Sequence, residues 1–488
     1  MTYKNISKFF LNQILNNFKK SENYFYVNNK IKCKYSEAYI KISKLVEFFN
    51  SKKKIKKIII FSDKSINYYL IVISIIFSGN TWIQISPNIP LQRIKKIIKV
   101  SRCKYGFYDN SFNNEMIKND LKIIFLDENK IFKNKDYKKL KTLKKIDENN
   151  TAMIFFTSGS TSTPKGVKIS YKSFIFSAYQ QIKNLSYKKD KEIFADYHDS
   201  SFVMSLNIIF PALFLASAIS PITNEIDRYK PIDHLKRNKI TVLITVPSFF
   251  IYINNFIKKD LKINKIIFCG ENLSFNIFKI ILKKVKFRSL YNCYGATELS
   301  PWAFYYKYLK RDDLIINKFN QVPIGKYFDN LKIFINNKNE LCISGPVLSK
   351  GYINKIHNKG RFFLKENKRF YNTGDISFAH KNGLYFILGR NDKQIKLKGY
   401  RINLLEIENL VKKIQGIEFV MCFKKTNEEK LVLIVISKIK KISEKITSYL
   451  SKNLPNYMVP KEISIHSKII LNKNGKVDRN FYRRKFDK

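Results

Sequence analysis

Short, continuously apolar runs that lead into longer stretches of helical spacing recur through the first two thirds of this chain. "KKIIIFSD" (56–63) precedes "KSINYYLIVISIIFSG", and "TAMIFFTSGS" (151–160) precedes "YKSFIFSAYQQIKNL". "ITVLITV" (240–246) precedes "PSFFIYINNFIKK", and "KIIFCGE" (265–271) precedes "FNIFKIILKKV". A strand without polar alternation is covered on both faces, and the helix after each strand supplies the cover. The alternation therefore points to an α/β fold built on parallel sheets between helices. From about Asn317 the pattern changes. "LKIFINNKNELCIS" and "ISFAHKNGLYFILGR" read as strand–turn–strand, with Asn382-Gly383 as a hairpin turn. Beyond Arg390 come a helix from about Leu404, the strands "EFVMCFKK" and "KLVLIVIS", another helix and a basic tail. A boundary at Arg390–Lys393 leaves a small C-terminal α+β domain.

One loop does not suit a core. "FFTSGSTSTPKGVKIS" (155–170) sets seven Ser, Thr and Gly residues and then Pro164, Lys165 and Gly166 behind an apolar strand. Such residues favour neither helix nor core. Successive N–H groups in a loop of this kind form an anion-binding concavity, to which hydroxyls add donors and a lysine adds charge. It is not a Walker A loop, because Pro164 follows Gly159 where Gly-Lys-Ser/Thr is required. Read alone, it is either a phosphate cradle or a solvated linker.

The formal charge of +53 over 488 residues raises the question of a nucleic-acid partner. The lysines are spread over the whole chain, mixed with Ile, Asn, Phe and Tyr, as in the product of an AT-rich genome. A nucleic-acid footprint clusters, and no specific nucleic acid is expected. The six cysteines are far apart, without a CxxC pair, so neither a disulfide framework nor a zinc site is expected. The start, "MTYKNISKFFLNQILNNFKK", lacks the apolar core of a signal peptide, and the apolar run "YYLIVISIIFSG" is too short to span a bilayer. A cytoplasmic protein without a membrane partner is expected.

The loop has company. It resembles the "TSGSTGxPKGV" signature of the adenylate-forming ligases, the superfamily of acyl-CoA synthetases, luciferases and peptide-synthetase adenylation domains. "YNCYGATE" (291–298) resembles "NxYGPTE", "ELCISGPVLSKGY" (340–352) resembles "ELxIxGxxxxxGY", and "YNTGD" (371–375) matches "YxTGD". "GRNDKQIKLKGYRINLLEIE" (389–408) resembles "GRxDxQVKxxGxRIExxEIE", and "LPNYMVP" and "NGKVDR" (474–479) match the last two motifs. All stand in the superfamily's order. "IFCGE", "IKLKGYRI" and "LPNYMVP" are closest to the D-alanine–carrier protein ligases.

The resemblance implies a large N-terminal domain (1–390) with a small β-barrel-like region and a mobile C-terminal domain (391–488). It implies that a carboxylate attacks the α-phosphate of ATP, giving an acyl-adenylate and pyrophosphate, and that a thiol then takes the acyl group. Such chemistry depends on positioning and charge neutralisation. By resemblance Thr157, Ser158, Ser160, Thr161 and Lys165 hold the β- and γ-phosphates, Thr297 meets the α-phosphate, and Glu298 ligates Mg²⁺. Gly270, Glu271, Tyr294 and Gly295 line the nucleotide site, with Tyr294 and Gly295 beside the adenine. Asp375 accepts from the ribose hydroxyls, and Arg390 lies near the same ribose. Lys476 contacts the reacting carboxylate and the α-phosphate, Asp392 is the hinge, and Gly399 lines the path of a phosphopantetheine thiol.

The chain departs from the pattern at a few positions. Ser162 replaces the glycine of the phosphate loop, and Ala296 the proline of "YGPTE". In the acyl-binding stretch "HDSSFVMSLNIIFPAL" (198–213) Phe202 is in register, and Val203 occupies the place where amino-acid activators carry an aspartate for the substrate ammonium. A buried ammonium without a counter-charge costs several kcal/mol, so either Asp199 serves or the acid lacks a charged amine. His198, Asp199, Phe202, Val203, Cys269 and Ala296 make up the expected substrate pocket. The function expected is ATP-dependent loading of an amino acid or small carboxylic acid onto an acyl or peptidyl carrier protein, as in non-ribosomal peptide synthesis. An acyl-CoA ligase for a small organic or aryl acid is the alternative, ahead of a non-catalytic relative.

Overall fold

The computed structural model describes residues 6–29, 31–52, 54–62, 64–87, 89–108, 121–157, 164–253, 256–257, 261–319, 321–391, 394–425, 428–439, 442–467, 470 and 479–486. The chain divides into two compact units. One comprises Met1–Pro87, Cys103–Phe155 and Val167–Gly389; the other comprises Asn88–Arg102, Phe156–Gly166 and Arg390–Lys488.

The first unit is built on sheets whose central strands are parallel. A six-stranded sheet has the order Ile124–Phe125, Tyr105–Tyr108, Lys57–Phe61, Thr81–Ile85, Thr151–Thr157, Lys165–Ser170, parallel through the first five. In a nine-stranded sheet the neighbours Ser289–Gly295, Lys265–Phe268, Val242–Thr245, Ile193–Asp196, Ala218–Pro221 and Tyr24–Asn28 are parallel. Its outer strands Trp302–Lys307 and Ile31–Lys34 pair antiparallel. The parallel strands are apolar on both faces because helices cover both. Helix Ile66–Phe77, capped by Ser65 Oγ accepting from Tyr68 N, is buried almost all round, which is why it reads as an unbroken apolar run.

One core, containing Trp82, Phe155, Phe174, Phe210 and Tyr291, joins the faces of both sheets. Another, around Phe250, Phe268 and Phe278, lies under helices Pro231–Arg237, Pro247–Ile253 and Phe275–Lys284. The region after Asn317 contributes a five-stranded antiparallel sheet, in which Lys368–Ala379 pairs with Glu340–Ser344, Phe362–Lys365 and Tyr385–Arg390. The turn between the last two of its strands is made at Asn382-Gly383, where Gly383 takes φ 80° and His380 N donates to Leu384 O at 2.8 Å.

In the second unit, strands Ile417–Lys424, Leu431–Ser437 and Glu462–His466 form a sheet packed with helices Leu404–Val411 and Ile442–Asn453. Both glutamates of "LLEIE" have structural partners. Glu406 Oε1 takes Arg93 Nη1 at 2.7 Å in a buried ion pair, and Glu408 Oε1 accepts from Cys422 N at 3.0 Å. Tyr400 stacks on Tyr457, centroids 3.8 Å apart, which joins "GYRI" to "LPNYMVP".

Candidate active site

Strand Ser289–Gly295 ends at Gly295, where an added Cβ would lie 1.9 Å from Pro301 O; only glycine fits so close an approach. The chain then runs through extended Ala296 into the single turn Thr297–Leu299, in which Thr297 and Glu298 are buried. The Glu298 carboxylate accepts from the Tyr352 hydroxyl, and its backbone carbonyl accepts from Ser349 N at 2.9 Å. The same segment reaches the strand behind the Ser/Thr-rich loop: Lys168 N donates to Gly351 O at 2.9 Å, and Lys350 N donates to Lys168 O at 2.8 Å. Lys168 is thus bonded to Lys350 and Gly351 of "SKGY", whose Ser349 and Tyr352 hold Glu298 of "YGATE".

A second carboxylate is fixed by the neighbouring motifs. Asp375, buried in strand Lys368–Ala379, accepts from the Tyr294 hydroxyl, and its N–H donates to Thr373 Oγ1 at 3.0 Å. Thr373 Oγ1 in turn donates to Leu341 O at 2.9 Å. The carboxylate of "YNTGD" is therefore joined to the tyrosine of "YGATE".

The acyl-binding stretch follows strand Ile193–Asp196 at its carboxyl end, the end at which open α/β sheets bind ligands. Asp199 Oδ1 accepts from Ser201 N at 2.9 Å and from Ser201 Oγ at 2.5 Å, and Asp199 O accepts from Phe202 N at 2.9 Å. Asp199 thus shapes the turn that enters Val203–Ser205. Val203 and Met204 are buried in the main core, with Phe202 and Ala296 partly buried against it. Cys269 is buried with Sγ 3.7 Å from Met204 Sδ. Gly270 takes φ 84°, and both Glu271 oxygens are engaged by Ser248, from N at 3.0 Å and from Oγ at 3.1 Å. His198 Nε2 lies 3.1 Å from Ile244 O and donates to it. Burial, and next the Lys64 ammonium, push its pKa down to about 4, so the ring is neutral.

Sequence reasoning missed the partners beneath this stretch. Lys64 Nζ lies 2.7 Å from Asp196 Oδ1 and 3.0 Å from Asp196 O, and the Tyr69 hydroxyl donates to Asp196 Oδ2 at 2.7 Å. Gln84 Nε2 donates to Ser200 Oγ at 3.1 Å and to Ser62 O at 2.9 Å. These residues carry no motif, and Lys64 and Asp196 are 132 positions apart.

In the second unit Arg390 Nη2 donates to Gln394 Oε1 at 3.2 Å. Gly399 (φ 82°) and Lys398 (φ 50°) form the two-residue turn between Gln394–Leu397 and Tyr400–Asn403. That turn type requires positive φ at both positions. Thr157 Oγ1 reaches Lys165 O at 3.5 Å. Ser158, Ser160, Thr161, Ser162, Asp392 and Lys476 lie outside the described residues.

The AMP-binding enzyme family matches residues 16–353. Bacitracin synthase 1 of Bacillus licheniformis is 29% identical over 444 residues, 86% of this chain and 8% of that protein, so the chain spans a small part of it. The D-alanine–D-alanyl carrier protein ligase of Staphylococcus haemolyticus is 30% identical over 339 residues, 66% of this chain and 69% of the ligase. Among solved structures, the Vibrio cholerae adenylation domain AlmE, in complex with glycyl-adenosine-5'-phosphate, superposes with a TM-score of 0.84 at 20% identity, over 98% of this chain and 97% of that one. The NpsA-ThdA adenylation–PCP di-domain from Klebsiella oxytoca gives 0.81 at 18% identity, over 93% of both chains. The fold is that of these adenylation domains, and the chain belongs to the AMP-binding enzyme family.

Proposed function

We infer that this chain is an AMP-forming ligase that activates an amino acid or other small carboxylic acid and passes the acyl group to the phosphopantetheine thiol of a carrier protein. The observation that carries the reading is the buried Glu298 carboxylate, held by Tyr352 in a segment bonded to the strand behind the Ser/Thr-rich loop, in a chain whose relatives include carrier protein ligases. An oxygen of the acid attacks the α-phosphorus of ATP, and the bond to the β-phosphate oxygen breaks as pyrophosphate leaves. The thiolate sulfur then attacks the acyl carbonyl, and AMP departs.

In this reading Thr157, Ser158, Ser160, Thr161 and Lys165 hold the triphosphate, and Thr297 donates to the α-phosphate. Lys476 offsets charge on the carboxylate and α-phosphate in the first step. Asp375, oriented by Tyr294, takes the ribose hydroxyls, with Arg390 alongside. Residues 391–488 form the part that moves about Asp392, and Gly399 leaves room for the thiol. Among the described residues no three His, Cys, Asp or Glu side chains gather as a protein-only metal cage. Glu298, a buried carboxylate held by Tyr352, suits an ion whose remaining ligands are phosphate oxygens and water, as Mg²⁺ prefers. Bound there, Mg²⁺ would offset charge on the phosphates. No described helix is long and apolar enough to cross a membrane. The need for ATP and six cysteines outside any disulfide fit the cytoplasm.

The test is ATP–pyrophosphate exchange over a panel of amino, hydroxy and aryl acids, followed by transfer of the labelled acyl group to holo carrier protein or to CoA. Exchange with a small amino acid and transfer to the carrier are expected. Transfer to CoA alone would replace the carrier, and no exchange with any acid would remove the enzyme reading.

A further inference from the structure

Ile226, Tyr229, Tyr252 and Phe256 are 70%, 70%, 47% and 58% exposed. They are not scattered. Ile226 and Tyr229 are three apart on helix Glu225–Tyr229 and share a face. The Tyr252 hydroxyl donates to Tyr229 O at 3.1 Å, and the Tyr252 ring lies 6.1 Å from that of Phe256. Single exposed apolar residues are ordinary, whereas a contiguous aromatic group marks an interaction surface. Folding does not need these side chains outside, because the same helices satisfy the core through other residues. Phe250 packs on Phe268 at 5.2 Å, and Asp227 pairs with Arg237 at 2.5 Å.

The elements that carry the patch also adjoin the entry to the acyl stretch. Tyr197, next to His198, donates its hydroxyl to Pro231 O at 3.1 Å, and its ring lies 5.4 Å from Phe249. Ser248, on the helix that presents Tyr252, holds Glu271. The patch thus lies on and beside elements that touch Tyr197, at the entry to the acyl stretch, and Glu271 of the "CGE" segment.

We propose that Ile226, Tyr229, Tyr252 and Phe256 form the docking surface for the carrier protein whose pantetheine thiol receives the acyl group. This rests on the carrier-loading reading above. A partner that must present a tethered thiol to the acyl carbonyl has to land close to the acyl stretch, and the patch meets that need. The charge also selects the partner. Arg228, Lys230 and Lys236 stand exposed on and beside the helix that carries Tyr229, against Glu225 and Asp233. A small acidic carrier complements that field, with the aromatics as anchors inside a basic rim.

The experiment compares the unmodified chain with Tyr229→Ser/Tyr252→Ser/Phe256→Ser and with Arg228→Glu/Lys230→Glu, using holo carrier proteins from the same genome. All substituted side chains are exposed, so both variants should keep ATP–pyrophosphate exchange within twofold. Loading of the carrier should fall at least tenfold in kcat/KM for the serine variant. For the glutamate variant the loss should be largest at low salt. Loading that stays within twofold in both variants overturns the patch. So does a patch-dependent dimer in light scattering whose loss leaves loading intact. Exchange without loading of any carrier by the unmodified chain instead overturns the carrier reading itself.

Discussion

At the scale of single residues, the open question is where an amino-acid substrate would find its counter-charge. Val203 is part of the apolar core and supplies none. Asp196 is buried near the acyl stretch, but Lys64 and Tyr69 already take both its oxygens. Breaking such a buried pair leaves an uncompensated charge at about 3–5 kcal/mol, so Asp196 is committed to the fold. Asp199 remains. Its Oδ1 holds the turn through Ser201, while Oδ2 has no partner among the described residues. Asp199→Asn keeps an acceptor at Oδ1 and hence the turn, but removes the charge. KM for an amino acid should rise about a hundredfold or more, as expected for removing the partner of a buried cation, with KM for ATP nearly unchanged. An unchanged KM for the acid would mean an apolar pocket and an acid without a charged amine. The motifs were legible as the marks of a family, because their residue types and order repeat across it. Lys64 and Asp196 were not, because an ion pair between distant strands leaves no spacing to read.

At the scale of elements, the alternation of apolar runs and helical stretches was enough to read the parallel sheets, since cover on both faces removes polar alternation. The outer strands escaped notice. Ile31–Lys34 is largely exposed, and Trp302–Lys307 pairs antiparallel before the change of pattern near Asn317. Gly399, proposed above for a thiol path, has a reason of its own to be glycine, since it takes φ 82° in a two-residue turn. Tyr352 was legible as part of a motif but not in its role, because its partner Glu298 lies 54 positions away. The hydroxyl is the donor that fixes the carboxylate. Tyr352→Phe leaves the ring packing and removes only that donor. Stability should fall by about 1–2 kcal/mol, the usual effect of losing one partner of a buried polar group. Pyrophosphate exchange should need several-fold more Mg·ATP, with KM for the acid little altered. Equal changes in both KM values would show that Tyr352 supports the fold generally and not Glu298 in particular.

At the scale of the molecule, composition was the least informative guide, since +53 is spread along the chain and describes no site. Nor did the sequence indicate that Asn88–Arg102 groups with Arg390–Lys488; the buried Arg93–Glu406 pair behind that grouping spans 313 positions. Buried ionisable groups set how the whole chain responds to acid. His234 is buried: Tyr197 gives its hydroxyl proton to Pro231 O, so His234 Nδ1–H donates to Tyr197 at 3.2 Å while Nε2 accepts from Ser220 Oγ at 3.1 Å. Burial pushes its pKa down to about 4, as burial and Lys64 do for His198. Both values lie below the 6.5 of an unfolded histidine. Between pH 6.5 and 4 the unfolded chain therefore binds the extra protons, and folding stability rises with pH over that window. It is fully present above about 6.5 and declines progressively toward 4. At about 1.4 kcal/mol per unit, His234 alone accounts for on the order of 3 kcal/mol. Denaturant unfolding at pH 7.5 and pH 5 should show this loss in the unmodified chain. The loss should be clearly smaller in His198→Gln/His234→Gln, whatever that variant's absolute stability, because glutamine takes up no proton. Identical losses in the two proteins would place the acid sensitivity in other groups and show that these rings take up protons equally in the folded and unfolded chain.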